Sequence, residues 1–371
     1  MQTQFLRTYK RVAQWSMVGL AILSLLAACQ STATIATPIA PHTGETVVYC
    51  AWPSYMPQAV LDAFAAESGI KVDYQPYHSQ EEGIAQMKAG KTCDVVVIDN
   101  ELIPSLLADG MLAEIDYHHV ANFKNISANF RDLAYDPGNK HSIPFNWGTT
   151  GLLYRQDLIT KPVTRWADLW DAHYAGKVAI WAIPQSLLPI ALKRLGYSAN
   201  SEKPEELAQA LKSLLELKKN VIFLDLNEAS STPTLIKGQA ILAYGWAYDA
   251  LTSQKQTKNI AYVLPQEGSI LWGDNLVIMA KSQHKTAAEA FLNFVLRPEI
   301  GAQIVNDLFY ANANEAARSF VNPELLKNPL IFPAAEALKN AEIILPASPT
   351  GKQLRDEIWA KFMAALPQPK Q

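Results

Sequence analysis

Short apolar runs alternate with amphipathic stretches along most of the chain, and their spacing predicts a repeating strand-helix order. Residues 46–51 are a β-rich apolar run, followed by Pro57 and by Val60, Leu61, Phe64 and Ala65 at helical spacing, closed by Gly69. The unit repeats: alternation over 70–74, a helix over 81–89 closed by Gly90, then Val95-Val96-Val97-Ile98. A continuous apolar strand of that kind is buried on both faces, as in a parallel sheet. A further helix over 102–108 completes a first α/β series.

Residues 144–154 (PFNWGTTGLLY) are Gly/Thr-rich and then strand-like, as a chain crossing between lobes would be. A second α/β series follows. It has strands at 178–181, 221–224, 240–244 and 260–264, and helices at 165–171, 187–195, 204–219, 232–237 and 248–254. From Asp274 come an apolar strand, helices over 284–296 and 298–308, and a tail of short helices interrupted by Pro329, Pro333, Pro346 and Pro349. Two α/β lobes with a ligand between them, at the carboxyl ends of the strands, are the expected architecture.

The stretch Ile270-Leu271-Trp272-Gly273-Asp274-Asn275-Leu276 stands out within that pattern. An indole two residues before a carboxylate offers a ring face and an anion together, which is what a small organic cation needs. The plain alternative is a core tryptophan and a turn-capping aspartate. Other aromatics fall at predicted strand ends: Trp52, Tyr55, Trp147, Trp181 and Trp246. Each alone fits core better than ligand contact; several of them at strand ends in both lobes favour a lined cleft.

Composition narrows the class. The chain has 371 residues, 49% hydrophobic and 18% charged, with a net charge of −3, and no basic stripe of the kind nucleic acid requires. Arg7, Lys10 and Arg11 precede the apolar run 17–28, which ends in Leu26-Ala27-Ala28-Cys29. That run is short for a membrane span and reads as an export signal of the lipoprotein kind, with Cys29 lipidated after cleavage; an ordinary cleaved signal followed by a chance cysteine is the alternative. Residues 30–44, rich in Ser, Thr, Ala and Pro, then serve as a tether. Cys50 and Cys93 remain. One ends a predicted strand and the other begins a parallel one, which places them at opposite ends of the sheet and predicts two buried free thiols.

Catalytic patterns are absent: no Gly-x-Ser-x-Gly, His-Glu-x-x-His, P-loop or Gly-x-Gly-x-x-Gly. The pair His118-His119 sits on adjacent positions and reads as solvated loop, and no two of the 14 tyrosines are adjacent, as a ferric-ion receptor would favour. No cofactor, metal or enzymatic activity is expected.

With these motifs in hand, the sequence is similar to the bacterial spermidine/putrescine-binding proteins, the extracytoplasmic solute receptors of polyamine ABC transporters. The similarity runs over roughly residues 45–366. Its carriers are YCAWPSY (49–55, against a family Tyr-x-Asn-Trp-Thr/Ser-Glu-Tyr), the stretch 69–77, SIPFNWG (142–148), WADLW (166–170), LKRLGYSAN (192–200), PQEGSILWGD (265–274), LNFVLRP (292–298) and the stretch 310–318. The resemblance implies a two-lobed periplasmic binding protein of type II-like build, each lobe a mainly parallel sheet flanked by helices. Residues 45–148 and 273–320 would form lobe 1, and 149–272 and 321–371 lobe 2, after a signal over 1–28 and a tether over 29–44. It also implies hinge closure over the ligand, docking to permease subunits, a monomer, and a place at the outer side of the plasma membrane.

Carried over by matching position, Trp52, Tyr55, Trp246, Trp272, Asp274 and Tyr310 fall where the family holds its polyamine. The departures concern charge. Ser54 replaces the family glutamate, the second-lobe acids are replaced within 182–186 including Ser186, and a late polar contact becomes apolar near Ile344. Asp99 and Glu101 are gained after the strand 95–98, where the family tends to have Ser and Tyr; helix capping before Leu102 is the alternative use for them. Three ligand classes fit these departures: a smaller or differently charged amine with Asp274 plus Asp99 or Glu101 as counter-ions, a true polyamine held by relocated acids, or a zwitterionic or quaternary-ammonium solute in an aromatic box to which Trp181 adds a wall. A sensory or scaffold lipoprotein of the same fold is the competing class.

Overall fold

Strand β1 (Thr46–Ala51) sends Val47, Tyr49 and Ala51 to one face and Val48 and Cys50 to the other, as the two-residue period of a strand requires. Both sets find apolar partners because helices cover both faces. The computed structural model describes residues 44–224 and 230–366. Cys29, on which the lipid expectation rests, lies outside them, as does the signal over 1–28.

In chain order the elements after β1 are α1 (Gln58–Ser68), β2 (Lys71–Pro76), α2 (Gln80–Lys88), β3 (Val95–Asp99), α3 (Ile103–Ala108), β4 (Ser142–Arg155), β5 (Val178–Trp181), α4 (Pro184–Arg194), α5 (Pro204–Leu217) and β6 (Val221–Leu224). Then come α6 (Thr232–Ile236), β7 (Leu242–Trp246), α7 (Ala247–Gln254), β8 (Ile260–Val263), β9 (Ile270–Ile278), α8 (Lys285–Val295), α9 (Pro298–Leu308), β10 (Ala311–Asn312), α10 (Pro323–Leu326), β11 (Glu342–Ile343) and α11 (Pro349–Ala364). Helix α1 stops where Gly69 takes the left-handed conformation at φ 74°, its N–H closing on Ala65 O. Helix α2 starts on Ser79, whose hydroxyl accepts the Glu82 N–H at 3.1 Å. Pro349 opens α11 at its first turn, where proline is tolerated, so this proline starts a 16-residue helix instead of dividing the tail into short ones.

The strands run in the order β2-β1-β3-β9-β4-β7-β5-β6, with β10 and β8 added on β4 and β11 on β9. The outer strands pair in parallel, β1 with β2 and β3, and β5 with β6 and β7. The middle is antiparallel, because β9 runs against β3 and β4, and β4 against β7.

Two cores hang on this one sheet. The first takes Val95 and Val97 from β3, Phe145 from β4, Leu276 and Ile278 from β9, and Phe291 from α8. The second takes Leu152 from β4, Ile270 from β9, Ile180, Leu214 and Phe362. Strands β4 and β9 therefore each begin in one core and end in the other. Each fully buried aliphatic side chain contributes about 1.5–3 kcal/mol, so both halves are held by their own burial. The tail passes from α9, where Val321 and Phe332 pack, to the second core, which Ile358 and Phe362 join. Among the described residues no helix is long and apolar enough to cross a membrane.

The two cysteines correct the expectation of free thiols. Cys50 and Cys93 form a disulfide, with their Cα atoms 6.0 Å apart. The strands are staggered: β3 begins level with Tyr49, so Cys50 lies beside Val96 and the segment entering β3 turns in next to it. That turn is pinned by Asp94, whose N–H bonds Val48 O at 2.8 Å while its carboxylate accepts the Val48 N–H at 2.8 Å.

Candidate functional site

Alternation along β9 carries Trp272 and Asp274 on the same face as Leu276 and Ile278, and alternation along β3 carries Asp99 on the face of Val95 and Val97. The antiparallel register sets Asp99 directly opposite Asp274. Two carboxylates from distant parts of the sequence thus meet as a cross-strand pair, at the carboxyl end of β3. Like charges directly opposite one another are unfavourable.

Asp274 is 5% exposed. The Tyr55 hydroxyl donates to its Oδ2. Burial and the neighbouring Asp99, with which it shares a hydrogen bond, push its carboxyl well above the ordinary range. Burial raises Asp99 as well, opposed by its bonds to Asp274 and Gln80, and Gln80 Oε1 also accepts the Asp99 N–H at 3.1 Å. The Asp99 side chain makes no capping bond to the turn that follows. Glu101, half-buried in that turn, is pushed up to about 8 by burial and by Asp99, with Arg355 of α11 acting in the opposite direction. Among the described residues no lysine or arginine pairs with Asp99, Glu101 or Asp274.

Aromatic rings surround the pair. The Tyr310 ring, just after α9, meets the Trp272 indole edge-on at 5.4 Å and 86°, lies 5.6 Å from Tyr55, and takes Tyr248 of α7 at 5.0 Å on another side. Trp52 stands edge-on to Tyr77 at 5.1 Å. The indole of Trp272 lies over Gly148, its register partner on β4: a Cβ there would stand 2.7 Å from Trp272 Cε2. Glycine is what lets the ring lie flat. Trp272 Nε1 is buried without a hydrogen-bond partner.

A second group forms at the ends of β5 and β7. Trp181, 1% exposed, packs 5.4 Å from Trp246 and 5.7 Å from Tyr244. The Tyr244 hydroxyl donates to Trp181 O at 3.0 Å and is in hydrogen-bonding contact with Ser186 in the first turn of α4. Asp249 is buried here, its Oδ2 accepting the Trp246 N–H at 3.0 Å, and burial raises it to about 6. Ser54 is exposed and takes a left-handed backbone at φ 59°.

Tyr55, Asp99, Trp272, Asp274 and Tyr310 are therefore brought together, with Glu101 and Trp52 at the margin and Trp181, Ser186 and Trp246 in the second group. Tyr248 was not singled out by the sequence, nor was Asn146, buried beside the Tyr55 hydroxyl and accepting from Asn312 at 3.1 Å. Tyr248 follows Trp246 by two residues on a helix start, which is the one signal that could have found it. A separate recess of about 430 Å³ beside the disulfide is lined by Met87, Lys91, Cys93, Met111 and Lys281. It lies at the other end of β3, and Lys91 there is bonded to Gln86 at 3.0 Å. The loop residue His119 bonds Glu289 at 2.8 Å.

A family model described as bacterial extracellular solute-binding protein matches residues 59–334. The chain belongs to this family. The bacterial extracellular solute-binding proteins are binding proteins, not enzymes. Within that family the chain is 33% identical over 301 residues to the spermidine/putrescine-binding periplasmic protein of Escherichia coli (strain K12), covering 80% of this chain and 86% of the relative. It is 29% identical over 330 residues to the putrescine/agmatine-binding protein of Pseudomonas aeruginosa, covering 84% and 89%. Among solved structures, the spermidine/putrescine ABC transporter substrate-binding protein PotD from Streptococcus pneumoniae superposes with a TM-score of 0.78 at 27% identity, over 86% of this chain and 99% of that one. The fold is thus the two-lobed one of periplasmic binding proteins, with β4 and β9 as the crossing strands.

Proposed function

We propose that this chain is the extracytoplasmic substrate-binding component of an ABC importer, anchored by lipid at Cys29, and that it captures a polyamine or related small organic amine by closure of its two lobes. The observation that carries the reading is Asp274, a buried carboxylate with no cation among the described residues and with Trp272, Tyr55 and Tyr310 around it. Ionising a carboxyl that is buried without a cation is costly, and a ligand ammonium would supply that partner. Relatives at about 30% identity whose names specify spermidine, putrescine or agmatine support the same ligand chemistry.

Lobe 1 would comprise 45–148 with 273–320 and lobe 2 149–272 with 321–371, hinged where β4 and β9 pass between the two cores. Closure requires contacts made only in the closed state, and the tilted Tyr248–Tyr310 ring contact, which joins α7 to the end of α9, is suited to that. A thermal-shift series with putrescine, spermidine, agmatine, betaine and neutral amino acids tests the reading. A ligand at a hundred times its Kd stabilises by about 2.7 kcal/mol, so at least one amine should raise the melting temperature. Stabilisation by a neutral amino acid or betaine and by no amine would refute it.

A further inference from the structure

The carboxyl groups of Asp99 and Asp274 face one another across β3 and β9, yet a single primary ammonium is enough to touch both. Resting on the amine reading above, we infer that Asp99 and Asp274 form a paired-carboxylate subsite for one compact cationic head carrying N–H donors, a primary ammonium or a guanidinium, and that the rest of the ligand lies against aromatic surface. Three features support this. The register places the two acids opposite each other on one face. Tyr55 fills one oxygen of Asp274, leaving the other side of that carboxyl toward Asp99. The far group holds a single acid among the described residues, Asp249, and its carboxyl is already engaged by the Trp246 N–H and by Ser230.

The ligand class follows from the charge distribution. A head with N–H donors bridges two acceptors, whereas a quaternary ammonium has no N–H and cannot. A long amine with several widely spaced charges would bury its distant charges without partners. The subsite therefore favours short amines with one cationic end, and selects against linear tri- and tetra-amines.

Binding also moves a proton. Two carboxyls facing each other away from bulk water cannot both ionise at low cost, so the empty pair holds one shared proton above the ordinary carboxylate range. The groups facing the pair are Tyr49, Tyr55, Tyr77 and Tyr310, with Glu81 and Glu101 at its rim and Arg355 reaching Glu101. The tyrosines are held protonated by burial, so none of them supplies that proton. An arriving cation replaces it, and the proton leaves to buffer. Affinity consequently rises with pH through the pair's raised range and levels off above it.

The test is calorimetric titration of the full chain with putrescine and with 4-aminobutan-1-ol, which has one cationic end, at pH 7.5 in phosphate and in Tris. Wild-type protein should bind 4-aminobutan-1-ol at least as tightly as putrescine, whose second ammonium finds no unengaged acid, and release a proton on binding, and Asp99→Asn should weaken both at least tenfold and reduce the release. Asp99→Ser, which shortens the side chain, should behave the same way and guards against a local effect of the amide. Unchanged affinity and unchanged proton release in both Asp99 variants, with Asp274→Asn impaired, would overturn the paired subsite and leave the amine-receptor reading standing. Silence of the wild-type protein toward every amine would overturn the reading on which the subsite rests.

Discussion

Gly148→Ala perturbs the ligand face without touching a charged group. The added Cβ would stand 2.7 Å from Trp272 Cε2 and closer still to Cζ2. Carbon atoms in contact prefer about 3.5–4.0 Å, so the ring must move by about 1 Å. It cannot simply slide along the sheet, because Tyr310 abuts it edge-on at 5.4 Å; it tilts toward the space a ligand would fill. Returning the indole to its place then costs what overpacking costs, about 1–3 kcal/mol, or roughly 5- to 150-fold in amine affinity. Titration calorimetry with putrescine measures the loss, and near-ultraviolet circular dichroism reports whether an indole has moved. Wild-type affinity together with an unchanged aromatic spectrum would refute the placement of Trp272 over Gly148.

The disulfide and the acid of the second group give two further tests. Cys50 and Cys93 are 43 residues apart, and the chain-entropy model assigns a loop of that length about 4 kcal/mol; Cys50→Ser with Cys93→Ser should lower the denaturation midpoint accordingly, and an unchanged midpoint would remove the bridge from the stability account. Asp249 has its folded pKa raised from 3.8 to about 6, so the stability tied to its proton is present below about pH 4 and is lost as the pH rises through 6, a cost of roughly 3 kcal/mol at pH 8. Asp249→Asn, which keeps an acceptor for the Trp246 N–H, should therefore stabilise the protein in denaturant titrations at pH 8 and much less at pH 4; an equal difference at both would contradict the buried acid.

The order of strands and helices was legible because burial on both faces leaves continuous apolar runs such as Val95 to Ile98, and burial on one leaves the helical spacing of Leu207, Leu211 and Leu214. Trp272 and Asp274 were legible as a pair because they lie two residues apart on one strand. What could not be read was register. Alternation places Asp99 on a face, but only the pairing of β3 with β9 puts it opposite Asp274. The same gap misled the reading of Cys50 and Cys93, since a stagger of a few residues converts distant cysteines into bonded ones. Tyr248 and Asn146 owe their importance to neighbours far away in sequence, Tyr310 and Tyr55; the spacing of Tyr248 from Trp246 is a weak local signal, and Asn146 has none.

The central claim is that the buried Asp274 carboxylate pairs with the cation of a bound amine. The most direct measurement is the affinity of wild-type and Asp274→Ala protein for putrescine by titration calorimetry, with circular dichroism to confirm the fold. Loss of a buried charge partner costs about 2–5 kcal/mol, so the variant should bind roughly 30- to 5000-fold more weakly. Equal binding by the two proteins would contradict the account.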